Sequence, residues 1–536
     1  MRTNSRQPEY KPLLYTTTVR NPERYKDFMH ILKRFDGEIL NDNTIEQFER
    51  EVFKVGLYRP VLFSDSVQAK WASTTRGEFS ETALTDAETK EIYDLNDPDK
   101  NPNIKGHKDA GFAKGWQTRF NTQFILMKTL GFVYYNIGEP IQFSQLGNYL
   151  AESVSITIDE NDFITRDIVH SEYEQMAFLQ AFSKQQRCNP FIRELNDNIP
   201  LILLLQAIKK LNADSEYNNC GISYKEIPLL IFWKDNNSEA LYQRIKQLRT
   251  DYGYTPSSEV IEDICVNEIL GGFKEFKLKS IISEYPDEFV RKMRMTGLIS
   301  FRGGGRFVDI NHNEDEKIDY IIANYSHYRK YTSEIEYFEY MSSIDDNLFR
   351  IRAIVPTRTD ASQKLVEWTD IYRWENIKKE LNTLGKKASS KDDVLKFISA
   401  PSRLEFLTAL AIKTQFPDVV VIPNYPCDDT GLPTSTAGGN VGDIECIEHP
   451  NCVLVEVTMA EGRTQTMMEV RPISRHLEVF KTKYTPNSQC IFIAPTIFRD
   501  SERQIAFVKQ ADNLTIRPYK IDDFISYLEV EKRLYV

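Results

Sequence analysis

The chain has 536 residues, 41% of them apolar and 27% charged, and a net charge of −11. That length is too great for one core and predicts two to four domains of ordinary globular composition. No apolar run reaches bilayer length, which excludes a membrane-spanning helix, and the acidic balance excludes a chain coated in basic residues.

The first residues, Met1-Arg2-Thr3-Asn4-Ser5-Arg6-Gln7, are polar, so no secretory signal is expected. Seven cysteines, an odd number in a long chain, predict reduced thiols and a cytoplasmic setting. Cys427, Cys446 and Cys452 lack a C-x-x-C spacing, which argues against structural zinc. Residues 13–19 read as a short strand, and 25–34 as an amphipathic helix with Pro22 in its first turn and Asn21 as its cap. Just ahead, Arg20 carries a guanidinium fork that suits a phosphate or a base edge, or else a surface ion pair.

Residues 106–153 read as a winged helix. A helix over 118–130 is closed by Gly131, a hairpin runs from Phe132 to Ser144, and a second helix follows with Leu146 and Leu150 inward. Lys114, Trp116, Arg119 and Gln123 would line its approach to nucleic acid. The alternative is a helix and hairpin used only for packing.

Residues 176–231 read as helical, with the apolar run 199–205 buried. A second helix-turn-hairpin follows. Its helix ends at Gly297, and residues 301–310 form a hairpin tipped by Gly303-Gly304-Gly305. Arg291, Lys292 and Arg294 on the helix, with Arg302 and Arg306 on the hairpin, are the densest basic patch and predict phosphate contact. The glycines let backbone approach a phosphate. Acidic tracts at 81–99 and 313–319 are expected away from that face. Residues 1–310 then form one region of two subdomains, about 1–155 and 156–310. A helical connector spans 311–390, with a polar boundary at 385–391.

Residues 391–536 carry the chemistry. Residues 453–457 are mostly β-branched and apolar except for Glu456, and a turn at Glu448-His449-Pro450-Asn451 joins them to the strand that Asp443 enters. Asp443 and Glu456 are thereby expected side by side. A carboxylate in an apolar strand is costly unless compensated, and a hard divalent cation is the natural compensator. Glu405 lies on a helical apolar segment ahead of the pair and Glu469 on a helix after it. Residues 419–422 and 490–494 are expected to supply central sheet, with helices over 475–482 and 501–510 covering it.

The order helix acid, strand acid, strand acid, helix acid is the layout of the PD-(D/E)xK nucleases. The run Val453-Leu454-Val455-Glu456-Val457-Thr458, then Gly462-Arg463-Thr464-Gln465, Met468-Glu469, Pro472 and Arg475-His476, resembles the catalytic domain of the AlwI family. That family holds type IIS restriction endonucleases and strand-nicking relatives. Leu404-Glu405-Phe406-Leu407-Thr408 resembles the helix that supplies its first acid. Arg20-Asn21-Pro22-Glu23-Arg24, Phe35-Asp36-Gly37 and Met127-Lys128-Thr129-Leu130-Gly131-Phe132-Val133 resemble segments nearer its start.

The resemblance implies a multidomain α/β protein: a mostly helical, winged-helix-type DNA-recognition region, a helical connector and a C-terminal PD-(D/E)xK α/β nuclease domain. It implies a prokaryotic cytoplasmic enzyme that binds a short asymmetric duplex site and cuts at a fixed distance outside it, leaving 5′-phosphate and 3′-hydroxyl. Magnesium would be held by Asp443, Glu456 and the Val457 carbonyl, with manganese as a substitute, and Glu405 and Glu469 would place a second ion or its waters. Thr458 stands where the superfamily has lysine, so Gln465 and His476 become the candidates to orient water. Implied partners are double-stranded DNA, a transient second copy or a small catalytic subunit, and a cognate DNA methyltransferase. The alternatives are a strand-specific nickase, the large subunit of a heterodimeric enzyme, and a DNA-binding regulator with an inactive nuclease fold.

Overall fold

Helices take up the apolar periodicity of the N-terminal region, and the β-branched runs of the C-terminal region pair into one five-stranded sheet. The structure, a computed structural model, describes residues 19, 22–72, 79–104, 111–192, 195–217, 220–438, 441–448 and 450–535. The expected strand over 13–18, the Asn21 cap and Arg20 lie outside them. The chain divides into two compact units. The first is 1–299 with 308–310 and 315–352; the second is 300–307 with 311–314 and 353–536. The stretch read as a connector is shared between them and is not a unit of its own. No helix of the described residues is long and apolar enough to cross a membrane, and all seven cysteines are free thiols.

In the first unit, α1 (Tyr25–Lys33) and α2 (Trp116–Thr129) pack through aromatic edges. Phe28, Phe48, Phe120 and Phe124 meet at ring separations between 4.9 and 6.3 Å. Gly131, at φ +78, turns the chain out of α2 into an antiparallel pair, β1 (Val133–Tyr134) and β2 (Gln142–Phe143). Ser144 then caps α3 (Gln145–Glu152), its hydroxyl oxygen accepting the Gly147 N–H at 3.0 Å. The expected helix, hairpin and helix are therefore present. A second hairpin, β3 (Val154–Ile158) with β4 (Ile164–Ile168), follows at once. The apolar run 199–205 is buried in α4 (Pro200–Ala213). Later, α5 (Tyr285–Arg294) leads into the hairpin β5 (Ile299–Arg302) and β6 (Phe307–Ile310), whose tip, 300–307, belongs to the second unit.

The second unit starts with α6 (Arg358–Ile371), α7 (Trp374–Gly385) and α8 (Ala400–Gln415). Then come β7 (Val420–Pro423), β8 (Ile444–Glu448), β9 (Asn451–Val457), α9 (Gly462–Met468) and α10 (Val470–Lys483). It ends with β10 (Gln489–Ala494), α11 (Arg499–Asp512), β11 (Ile516–Lys520) and α12 (Ile521–Val530). The sheet order is β11-β10-β9-β8-β7. Strands β9, β10 and β11 run parallel, while β8 and β7 are antiparallel to their neighbours. The period of two along a strand sends alternate side chains to opposite faces. Cys452, Leu454, Cys490, Phe492 and Ile516 meet Ile473, Leu477, Phe480 and Ile505 of α10 and α11. Val453, Val455, Ile491 and Ile493, buried as well, face the opposite side, where α8 and α12 pack. The run 419–422, expected in the centre, is the edge strand β7. Both edge strands carry a proline, Pro423 in β7 and Pro518 in β11.

Candidate active site

The strand register builds the acid pair. Val455 of β9 lies opposite Ile444 of β8, so the residue before Ile444, Asp443, falls beside Glu456. Asn424 fixes that entry: its N–H donates to the Asp443 carbonyl at 2.9 Å and its side-chain amide to the Gly442 carbonyl at 2.6 Å. Asp443 Oδ2 then accepts the Val457 N–H at 2.7 Å. Gly442 is needed for space. A Cβ there would lie 2.4 Å from Leu454 Cδ1 and 2.8 Å from Glu456 Oε1. Sequence reasoning passed over both Asn424 and Gly442. The glycine directly ahead of the aspartate was the readable signal.

Glu405 projects from α8 and is 4% exposed, its carboxylate accepting the Ala437 N–H at 3.0 Å. Glu456 is 5% exposed, and His476 Nδ1 on α10 lies 3.0 Å from its Oε1. Thr458, at the position where lysine is usual in the superfamily, donates its hydroxyl to Glu469 Oε1 at 2.8 Å and accepts the Ala460 N–H at 2.9 Å. The expected neighbourhood of Glu405, Asp443, Glu456 and Glu469 is thus assembled from one helix, two strands and the α9–α10 junction.

Electrostatics bind these four into one system. Burial pushes the Glu405 carboxyl well above the usual carboxylate range, the Asp443 charge adds to the shift, and the Ala437 N–H opposes it. Burial also raises Asp443, followed by the Glu456 charge, against the opposing Val457 N–H. Glu456 is raised by burial and then by the charges of Glu469 and Glu405. Like charges gathered in a poorly solvated place favour shared protons. Among the described residues no lysine or arginine forms an ion pair with Glu405, Asp443 or Glu456.

Gln465 is placed differently from the role expected of it. It is fully buried, and its amide donates to the Ala460 and Thr496 carbonyls at 3.1 and 2.8 Å while its oxygen accepts the Phe498 N–H at 2.9 Å. It holds backbone and does not face water. His476 does sit against the site.

The basic candidates scatter. Lys114 is exposed ahead of α2. Arg119 lies over the Trp116 ring at 4.2 Å, and Trp116 itself stacks inward on Tyr93. Gln123 is buried and donates to Glu49 at 3.3 Å. On α5, Arg291 and Arg294 are half-buried. Lys292 is fully buried with Glu288 at 2.9 Å, because it shares the inward stripe of Phe289 and Met293. Arg302 pairs with Asp429 at 2.5 Å, and Phe301 stacks on Phe397. Arg306 is exposed, its Nε donating to the Gly303 carbonyl at 3.1 Å. At Gly305, φ +87, a Cβ would meet Val394 Cγ2 at 2.9 Å. That glycine serves close packing at the hairpin tip, where the sequence suggested approach to a phosphate.

A family model described as AlwI restriction endonuclease matches residues 128–350 and 344–527. Among solved structures, the small subunit (R.BspD6I2) of the heterodimeric restriction endonuclease R.BspD6I is 23% identical. It covers 30% of this chain and 78% of that one, with a TM-score of 0.26. Restriction endonuclease FokI is 11% identical over 96% of both chains, TM-score 0.26. FokI bound to DNA is 12% identical over 96% of both, TM-score 0.23. None of the curated proteins compared matches the chain.

Proposed function

Since the chain belongs to the AlwI restriction endonuclease family and is thereby a DNA endonuclease, we propose that it is a type IIS enzyme. It would bind a short asymmetric duplex site and hydrolyse phosphodiester bonds at a fixed distance outside it. The observation that carries this is the cluster of Glu405, Asp443, Glu456 and Glu469, buried or half-buried, in which burial and neighbouring charges raise the proton affinity of Glu405, Asp443 and Glu456. A fold that needed Glu405, Asp443 and Glu456 only for packing would not gather three carboxyls there with no lysine or arginine paired to them among the described residues.

The donor set fits a hard divalent cation such as magnesium, since every candidate ligand is an oxygen and, among the described residues, no lysine or arginine pairs with Asp443 or Glu456. Among the described residues no three His, Cys, Asp or Glu side chains form a ready cage for a metal ion. Asp443 and Glu456 would therefore hold it with the Val457 carbonyl, water completing the shell, as is usual for magnesium. When bound, it supplies Lewis-acid chemistry: activation of water and neutralisation of charge on the phosphoryl group. His476 orients Glu456 and fixes which of its oxygens faces the site. Thr458 does the same for Glu469, and Glu405 and Glu469 would place a second ion or its waters. The winged-helix reading of 106–153 and 289–310, the latter with its hairpin tip in the second unit, would assign DNA recognition mostly to the first unit.

Digestion of a supercoiled plasmid with magnesium, wild type beside Asp443→Ala and with the ends sequenced, tests this. Cuts at one offset from one short motif, lost in the variant, are the expected result. Nicked circles alone would favour a nickase or the large subunit of a heterodimer. Intact plasmid with sequence-specific binding retained would favour a regulator.

A further inference from the structure

One exposed basic segment is one the sequence motifs did not mark. Between two π-helical turns, Ile264–Ile269 and Ser280–Glu284, the chain crosses the surface as Gly271-Gly272-Phe273-Lys274-Glu275-Phe276-Lys277-Leu278-Lys279. Phe276 anchors this loop, packing on Phe232 at 5.2 Å and on Tyr285 at 6.4 Å. Phe273 has no such burial and is 60% exposed. Lys274, Lys277 and Lys279 are all exposed. Lys274 lies 5.6 Å over the Phe276 ring, and Lys279 stands 3.8 Å from Glu284. Gly271 and Gly272 take φ values of +66 and +71, and a side chain at Gly271 would meet nothing within 4 Å.

A single exposed phenylalanine on a globular surface is ordinary. Here it projects from a loop with three lysines and one glutamate, in a chain whose net charge is −11. Two π-helical turns flank it, and such turns concentrate at functional sites because the widened backbone costs stability. By contrast, Lys292 is buried and Arg302 is paired within the protein. We propose that the 271–279 loop is a duplex-DNA contact in which Lys274, Lys277 and Lys279 meet phosphates while Phe273 packs against sugar or base edges. The proposal rests on the DNA-endonuclease reading above. Charge selects the partner: an anchored loop with a projecting ring and a set of exposed ammonium groups suits a regular polyanion that also offers apolar surface. The paired glycines let the ring approach a groove without the loop's own side chains intervening.

The test uses the full chain and a fluorescein-labelled mixed-sequence duplex, without divalent cation, with anisotropy read across a salt series. The triple variant K274A/K277A/K279A is expected to lower the slope of log affinity against log salt by about 2–3, since each phosphate contact contributes about 0.9. The triple arginine variant restores the slope. F273A keeps the slope and binds about tenfold more weakly, as loss of one ring contact with a base does. Wild type that binds duplex while the alanine triple matches its slope overturns this proposal and leaves the endonuclease reading standing. A slope that stays low in the arginine triple overturns it too. Wild type that ignores duplex but binds phosphatidylserine vesicles overturns both.

Discussion

Replacing Asp443 with asparagine keeps an oxygen that can accept the Val457 N–H and removes one charge from the carboxylate cluster. Two like charges about 4 Å apart repel by about 4 kcal/mol at an effective dielectric of about 20. Wild type sheds part of that by taking up a proton, so the expected gain at pH 8 is about 2 kcal/mol, or about 4–8 °C in a unit of this size. The sign with pH follows from linkage. Folding raises the proton affinity of Asp443 and Glu456, so their contribution is intact below the unfolded carboxylate range and is lost as pH rises through the raised values. The variant's advantage should therefore be small near pH 5 and largest at pH 8. Thermal melting with a chelator present, at both pH values, reads it. Added magnesium should lift wild type and not the variant, and plasmid cleavage should vanish in the variant. A variant that melts at or below wild type at pH 8, with no change between the two pH values, would refute the idea that these carboxyls repel.

Three other changes probe the same reasoning elsewhere. His476→Ala removes the partner of Glu456 Oε1 and should lower the cleavage rate by about 10–100-fold with DNA affinity unchanged; equal rates would show the ring to be only packing. Gly442→Ala forces a methyl against Leu454 and Glu456 and should cost about 1–3 kcal/mol in denaturant unfolding, with cleavage lost. Glu49 is fully buried, and burial raises its carboxyl to about 7 against the pull of Arg119 and Gln123. Wild type should lose about 3 kcal/mol in the first unit as pH rises from about 4.5 to 8, and Glu49→Gln should not. Urea unfolding at pH 5 and pH 8 separates the two, and identical pH dependence would count against a raised carboxyl.

The acids were legible because their cost was legible. Glu456 interrupts an apolar strand, and the turn after Glu448 fixes a register that brings Asp443 beside it. His476 was readable only through the family resemblance, and Gln465 was misjudged because its three backbone partners are spread from Ala460 to Phe498. The basic patch shows a different limit. Counting arginines and lysines around Gly297 gives a charge but no direction, although the spacing Phe289, Lys292, Met293 marks Lys292 as inward. Arg302's partner, Asp429, lies 127 residues away, and no local pattern announces it. Strand order fails for the same reason: β7 has the composition of a central strand, yet the connection from β9 to β10 crosses over through α9 and α10 and leaves β7 outside.

The prolines at the two sheet margins limit how these molecules can associate. Pro423 and Pro518 each remove an N–H from an outermost strand, and a strand that cannot donate along its free side is a poor template for another chain. Extension of the sheet from one molecule into the next is disfavoured at both ends. Any pairing of two such units then falls more readily to side chains on the covering helices, where a few surface substitutions can tune it without disturbing the strands that hold the acids.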